Sequence, residues 1–155
     1  MRTEVRMKRF RFTLEKILNY QESMLQKEKI TLSALRAQQT RILEKIARYT
    51  GERESLHERI CREAKRGISA GDLLAANYQI ENIDIQLKVL KAELETVSRM
   101  VEKQLNVVLD LTREKTKLEK LKEKQLEEYR LYEARENELV ISDFVSGEVI
   151  RAARA

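Results

Sequence analysis

The chain has 155 residues, and its 31 Lys and Arg outweigh 26 Asp and Glu for a formal charge of +5. Charged residues make up 37% of it, where an average globular protein has roughly 25%. Proline is absent and glycine occurs only 4 times, which excludes a sandwich, a barrel or a doubly wound sheet, since each needs turn residues about every ten positions. Because 42% of the residues are hydrophobic and recur periodically, disorder is excluded too; the length fits a single coiled-coil domain over 1–155.

The start of the chain, Met1 to Phe12, is basic: five cations and one anion fall within residues 1 to 11. No apolar stretch follows it, so it is not read as a secretory signal. A first helix is expected over about residues 12 to 65. Within it Leu14, Leu18, Leu25, Leu32, Leu35, Ile42, Ile46, Tyr49, Leu56 and Ile60 lie on one line with spacings of four and three. Gln21, Glu28, Gln39, Arg53 and Glu63 interrupt that line. A heptad sustained this far marks a coiled coil. Gly51 falls at an outward position, where it weakens the helix by about 1 kcal/mol without opening the seam.

A turn is expected over residues 66 to 69. Lys65 and Arg66 precede Gly67, which suits a helix C-terminus, where cations meet the negative dipole end and glycine takes the left-handed conformation. Ser69 followed by Asp72 resembles a capping box with a shortened acid, and Ile68 and Leu73 occupy the positions of a hydrophobic staple.

The second helix is expected over about residues 70 to 139. Its seam is Leu73, Ala76, Ile80, Ile83, Leu87, Leu90, Leu94, Val97, Val101, Val108, Leu111, Leu118, Tyr129, Tyr132 and Leu139, broken by Gln104, Lys115, Lys122, Gln125 and Glu136. Folding back at the turn sets Ile60 against Ala76, Ile46 against Leu90, Leu35 against Val101 and Leu18 against Leu118. The predicted fold is therefore all-α, a long antiparallel two-helix coiled coil, or helical hairpin. At 1.5 Å per residue the second helix, about 105 Å, outruns the first, about 80 Å. Beyond it the segment 140–155 turns apolar where a fraying end should be polar, and it either folds back or awaits a socket on another protein.

The residues carry no catalytic constellation. His57 lies on a charged stretch, and Cys61, the single cysteine, has neither an oxyanion hole nor an orienting carboxylate pocket beside it. No phosphate loop, metal-ligand cluster or cofactor motif is present, so the chain is read as a non-enzyme without metal or cofactor. Its apolar runs are far shorter than the roughly 20 residues of a membrane span, and a lone cysteine suits a reducing compartment, so a soluble cytoplasmic protein is expected. Arg113 to Lys124 carries six cations and three anions. A basic hairpin holding nucleic acid is one alternative reading, although such interspersed charges more often make an ion-paired solvated face, and no nucleic acid is expected as a partner. A structural coiled coil that self-associates through the same seam is the other.

Four segments together resemble the FliJ family of bacterial flagellar export proteins. They are Lys8-Arg-Phe-Arg-Phe-Thr-Leu-Glu-Lys-Ile-Leu18, Gly67-Ile-Ser-Ala70, Leu118-Glu-Lys-Leu-Lys-Glu-Lys-Gln-Leu-Glu-Glu-Tyr-Arg130 and Asp143-Phe-Val-Ser146. The resemblance implies an antiparallel coiled coil similar to the gamma-subunit stalk of rotary ATP synthases. It implies that the paired termini enter the pore of the hexameric export ATPase (FliI type), promoting its assembly and activity. It also implies contact with the membrane protein of the export gate (FlhA type), escort of export chaperones, and recruitment of an elongated monomer to the cytoplasmic face of the inner membrane at the flagellar base. The ATPase-contacting positions correspond to Phe10, Arg11, Phe12, Leu14, Ile17, Tyr129, Tyr132, Phe144 and Val145. The gate-contacting patch corresponds to Tyr49, Leu56 and Ile83. Those three are seam positions here, and their neighbours Gln79 and Gln86 depart from the larger apolar groups the family pattern calls for.

Overall fold

The structure, a computed structural model, describes residues 8–155, so most of the basic run at the start of the chain lies outside the described residues. Two helices account for nearly all of it, α1 (Glu15–Arg66) and α2 (Ala70–Arg154), with no strand among the described residues. They pack against each other as a helical hairpin. The chain divides into two units, Leu25–Asp110 and one formed by Met1–Met24 with Leu111–Ala155.

The Leu25–Asp110 unit contains the turn. Gly67 takes φ of 94°, the left-handed conformation that only glycine adopts without strain. Ser69 caps α2: its Oγ accepts from the Asp72 backbone N–H at 3.1 Å, while its hydroxyl donates to the Asp72 carboxylate at 2.7 Å. Asp72 thus reaches the hydroxyl, not the Ser69 backbone N–H that a longer Glu bonds in a capping box. The first α2 ladder bond runs from the Leu73 N–H to the Ser69 carbonyl at 3.0 Å. Ile68 is half-buried, but Leu73 stays exposed, so the staple is loose.

The seam of this unit follows the heptad. Ile42, Leu90 and Val97 form a buried cluster with Ile46, Tyr49, Leu94 and Val101 packed around it, which places the expected neighbours Ile46 and Leu90 together. Leu25, Leu32, Ala76, Leu87 and Val108 are buried along the same line. The polar interruptions Gln39, Gln104 with Glu28, and Arg53 are paired across the helices, while Glu63 lies 4.0 Å from Arg59 of its own helix. Gln39 Nε2 donates to Ser98 Oγ at 3.0 Å, and Gln104 Nε2 donates to the Glu28 carbonyl at 3.1 Å and to its carboxylate. Arg53 donates through Nε and one terminal nitrogen to the two Asp84 oxygens at 2.6 and 3.4 Å. That hydrogen bond, then the carboxylate charge, raises the Arg53 pKa, so the guanidinium stays charged well beyond neutral pH. Gly51 is exposed, with nothing within 4 Å of where a Cβ would stand, in keeping with its outward position.

In the other unit Leu18 and Phe12 are buried, and Leu14, Gln21, Leu111, Lys115, Leu118, Lys122, Gln125 and Tyr129 are half-buried along the seam. The lysines there are matched by acids from both helices: Lys115 Nζ lies 3.7 Å from Glu22 and 3.5 Å from Glu119. Two features differ from the sequence expectation. Tyr132 and Leu139, expected on the seam, are 57% and 58% exposed. Tyr129 pairs with Lys8, and in the next α2 turns Glu133 and Glu136 are half-buried instead of Tyr132 and Leu139. Nor does α2 stop near residue 139: it continues to Arg154, and residues 140–154 neither fold back nor bury their apolar side chains. No proline breaks this stretch, and Gly147 alone costs a helix only about 1 kcal/mol.

Candidate interaction sites

In the unit formed by the chain ends, an aromatic clasp precedes α1. The Phe10 and Tyr129 ring centroids are 5.6 Å apart at 50°, a tilted arrangement that suits their quadrupoles. The Tyr129 hydroxyl donates to the Lys8 carbonyl at 2.9 Å. Phe12 is 7% exposed, with the Lys122 ammonium 6.0 Å from its ring centroid. Lys122 also lies 3.1 and 2.9 Å from the two carboxylate oxygens of Glu15. The Glu15 backbone N–H bonds the Phe12 carbonyl at 3.2 Å, which closes the turn into α1. Phe10, Arg11, Phe12, Glu15 and Lys122 together line a shallow recess of about 390 Å³.

The nine positions aligned with ATPase contact thus divide in two. Phe12 is buried, Phe10 and Tyr129 are engaged with each other, and Leu14 is half-buried, so these four hold the N-terminal segment in place. Arg11, Ile17, Tyr132, Phe144 and Val145 are exposed and free to meet another molecule. Glu15 and Lys122, which clamp Phe12 from α1 and α2, were not among the sequence-derived site residues. The signal for them was present, since Lys122 faces the first turn of α1 when the chain is folded at Gly67.

Along the last turns of α2, Leu139, Val140, Ile141, Phe144, Val145, Val149 and Ile150 are each more than half exposed, from 53% to 65%. At about 100° per residue, Ile141, Phe144, Val145 and Val149 share one side of the helix. This is a contiguous apolar surface on a chain otherwise dense in charge.

In the Leu25–Asp110 unit the three gate-aligned positions are seam residues. Tyr49 packs on the core cluster, with the Arg48 guanidinium 5.6 Å from its ring centroid. Leu56 and Ile83 are half-buried and form the floor of an open groove of about 770 Å³, whose rim carries Glu52, Arg59, Arg62, Gln79 and Asn82. Tyr49 is therefore a packing residue, whereas Leu56 and Ile83 both pack and border a groove. His57 and Cys61 are exposed.

Among the described residues, no helix is long and apolar enough to cross a membrane, and no group of three or more His, Cys, Asp or Glu is placed to hold a metal ion. No curated protein and no solved structure matches the chain. The family model described as flagellar FliJ protein matches residues 10–154, nearly the whole chain, and so takes in the turn, the clasp and the apolar end of α2. The chain belongs to the FliJ family, whose members are components of the flagellar export apparatus.

Proposed function

We propose that the chain binds the hexameric ATPase of the export apparatus through the unit that holds its two ends, promotes assembly and turnover of that ring, and links it to the export gate. The observation that carries this reading is the run of exposed apolar side chains from Leu139 to Ile150. Apolar surface gains about 25 cal/mol for each Å² removed from water, and this stretch has no packed neighbour within the described chain. A socket on another protein is the natural place for it. The clasp of Phe10, Tyr129 and Phe12 supports the same site, because it holds the segment that carries Arg11 against α2 and reduces the ordering that docking would cost.

The chain offers binding surfaces and leaves hydrolysis to the ATPase. Its recruitment to the inner membrane runs through the export gate, for which the groove floored by Leu56 and Ile83 is the candidate contact, with Tyr49 supporting it from the core. Export chaperones are further partners.

The test is to titrate purified full-length chain into the cognate export ATPase and follow hydrolysis and hexamer content. Both should rise, and deletion of residues 139–155, or Phe144→Ser with Val145→Ser, should abolish the rise while circular dichroism stays helical. These exposed positions are better probes than Phe12, whose replacement would disrupt packing. No stimulation at saturating chain, or equal stimulation by the double variant, would place the contact elsewhere.

A further inference from the structure

The side of α2 turned away from α1 carries a second apolar line within the Leu25–Asp110 unit. Leu74, Tyr78, Ile85, Val89, Met100 and Val107 are 57%, 60%, 58%, 57%, 48% and 41% exposed. Their spacing is not heptad. Positions 74, 85, 96 and 107, and positions 78, 89 and 100, recur every eleven residues. That period, about 3.67 residues per turn, keeps a stripe nearly straight along the helix. At about 100° per residue, it lies across the helix from the seam residues Ala76, Leu87 and Leu90. Thr96 joins the stripe with its polar group satisfied, since its hydroxyl donates to the Ala92 carbonyl at 3.2 Å. The small Ala92 leaves a shallow place near the middle of the line.

We propose that a second copy of the chain packs on this stripe, α2 against α2, antiparallel about a two-fold axis passing between Leu90 and Lys91. Reversal about that point sets Leu74 opposite Val107, Ile85 opposite Thr96 and Val89 opposite Ala92, large against small through the centre. The two charges that interrupt the stripe are accommodated as well. Glu81 meets Met100, and Lys103 meets the Tyr78 ring, a cation against an aromatic face. A parallel pairing in register would instead press Glu81 on Glu81 and Lys103 on Lys103.

The rim agrees with this axis. In an antiparallel pair the same flank of each helix meets its copy. On one flank Lys88 comes opposite Glu95 of the second copy and Asp84 opposite its Arg99, each contact occurring twice by symmetry. Lys88 is exposed and makes no ion pair among the described residues, whereas Glu95 and Arg99 pair with each other and Asp84 with Arg53, so those three charges would be shared with the second copy. On the other flank Gln86 comes opposite Glu93. Farther from the axis on the first flank, Glu81 comes opposite Glu102 of the second copy, the one like-charge meeting, set against the two opposite-charge pairs nearer the axis. A rim of mixed sign offers nothing to draw a strongly acidic or basic partner. The stripe is about 50 Å long, and a helix pair contacts over a strip about 10 Å wide, giving roughly 500 Å² per copy. A standard stable interface needs about 800 Å² per partner. The pairing is therefore weak and reversible, forming at micromolar concentrations and dissociating on dilution.

Sedimentation equilibrium of the full-length chain, from about one to a few hundred micromolar, tests this. The weight-average mass should rise toward twice the monomer value. Ile85→Glu with Val89→Glu should hold the chain monomeric, and circular dichroism should be unchanged, since both side chains are exposed. Lys88→Glu should weaken association at least tenfold, because it sets acid against Glu95 of the other copy, twice by symmetry, and Glu95→Lys in the same chain should restore it. A monomer at every concentration would overturn the proposal, as would association that survives the Ile85 and Val89 changes. Association lost only on deleting residues 139–155 would also overturn it, by placing self-contact on the apolar end of α2. Failure of the charge exchange to restore pairing would overturn the antiparallel axis.

Discussion

The N-terminal clasp lends itself to a quantitative test through Tyr129→Phe. This change keeps the ring that tilts against Phe10, with centroids 5.6 Å apart, and removes only the hydroxyl that donates to the Lys8 carbonyl at 2.9 Å. Lys8 is exposed, so water takes over its carbonyl, and the loss is the net value of one hydrogen bond, about 1 kcal/mol. That corresponds to a roughly fivefold rise in the population with the segment before α1 released. Phe10→Ala removes the aromatic pair, worth about 0.5–1.5 kcal/mol beyond area burial, together with the buried part of the ring, so a rise of roughly tenfold or more is expected. Trypsin cleavage after Arg9 and Arg11 reads this opening directly, since cleavage tracks the open population when opening and closing are fast. Tyr132→Phe is the control, because Tyr132 is 57% exposed. Unchanged cleavage of the Tyr129 variant, or an equal rise in the Tyr132 variant, would refute the clasp.

Three other outcomes follow from the Leu25–Asp110 unit. Ile42→Ala, at a site 3% exposed in the core cluster, should cost about 2–5 kcal/mol in urea unfolding, whereas Ile30→Ala, at a site 62% exposed, should cost less than about 0.5 kcal/mol. Gly67→Ala should destabilise by about 1–2 kcal/mol, since φ of 94° is strained for any residue with a Cβ, and Ser69→Ala should cost about 1 kcal/mol by uncapping α2; urea midpoints measure both. Arg53 has its pKa raised by Asp84, so its contribution is fully present below the unfolded guanidinium value and is lost only at strongly alkaline pH. Its contribution should therefore stay constant between about pH 6 and 9 and shrink with added salt, as the difference in urea midpoint between the native chain and Asp84→Asn would report.

The seam was legible because it follows from spacing alone. A line of apolar residues at intervals of four and three can be buried only on one side of a helix, and a single Gly67 with its flanking cations and a serine cap allows one place to fold back. Ile46 and Leu90 accordingly meet in the core. The aromatic and apolar composition of the two chain ends was legible too. Which of those side chains are available was not. Phe12 and Phe144 read alike as exposed apolar candidates, yet one is buried under Lys122 and the other stands 64% exposed, a difference that depends on where the second helix passes. The eleven-residue line on α2 was written in the sequence as plainly as the heptad, but two overlapping periods on one helix blur each other until the position of α1 is known.

What the sequence by itself determined is the set of helix-forming stretches, the turn and the face each helix buries, since propensity, capping and period are local properties of the chain. It did not determine the end of α2, because residues 140–154 carry no strong stop signal and the apolar pattern there fits either folding back or standing out. Nor did it determine how the polar seam residues are satisfied. Arg53 with Asp84, Gln104 with Glu28 and Lys122 with Glu15 are partnerships across distant parts of the chain. They exist only once the packing of one helix on the other has fixed which side chains share a layer.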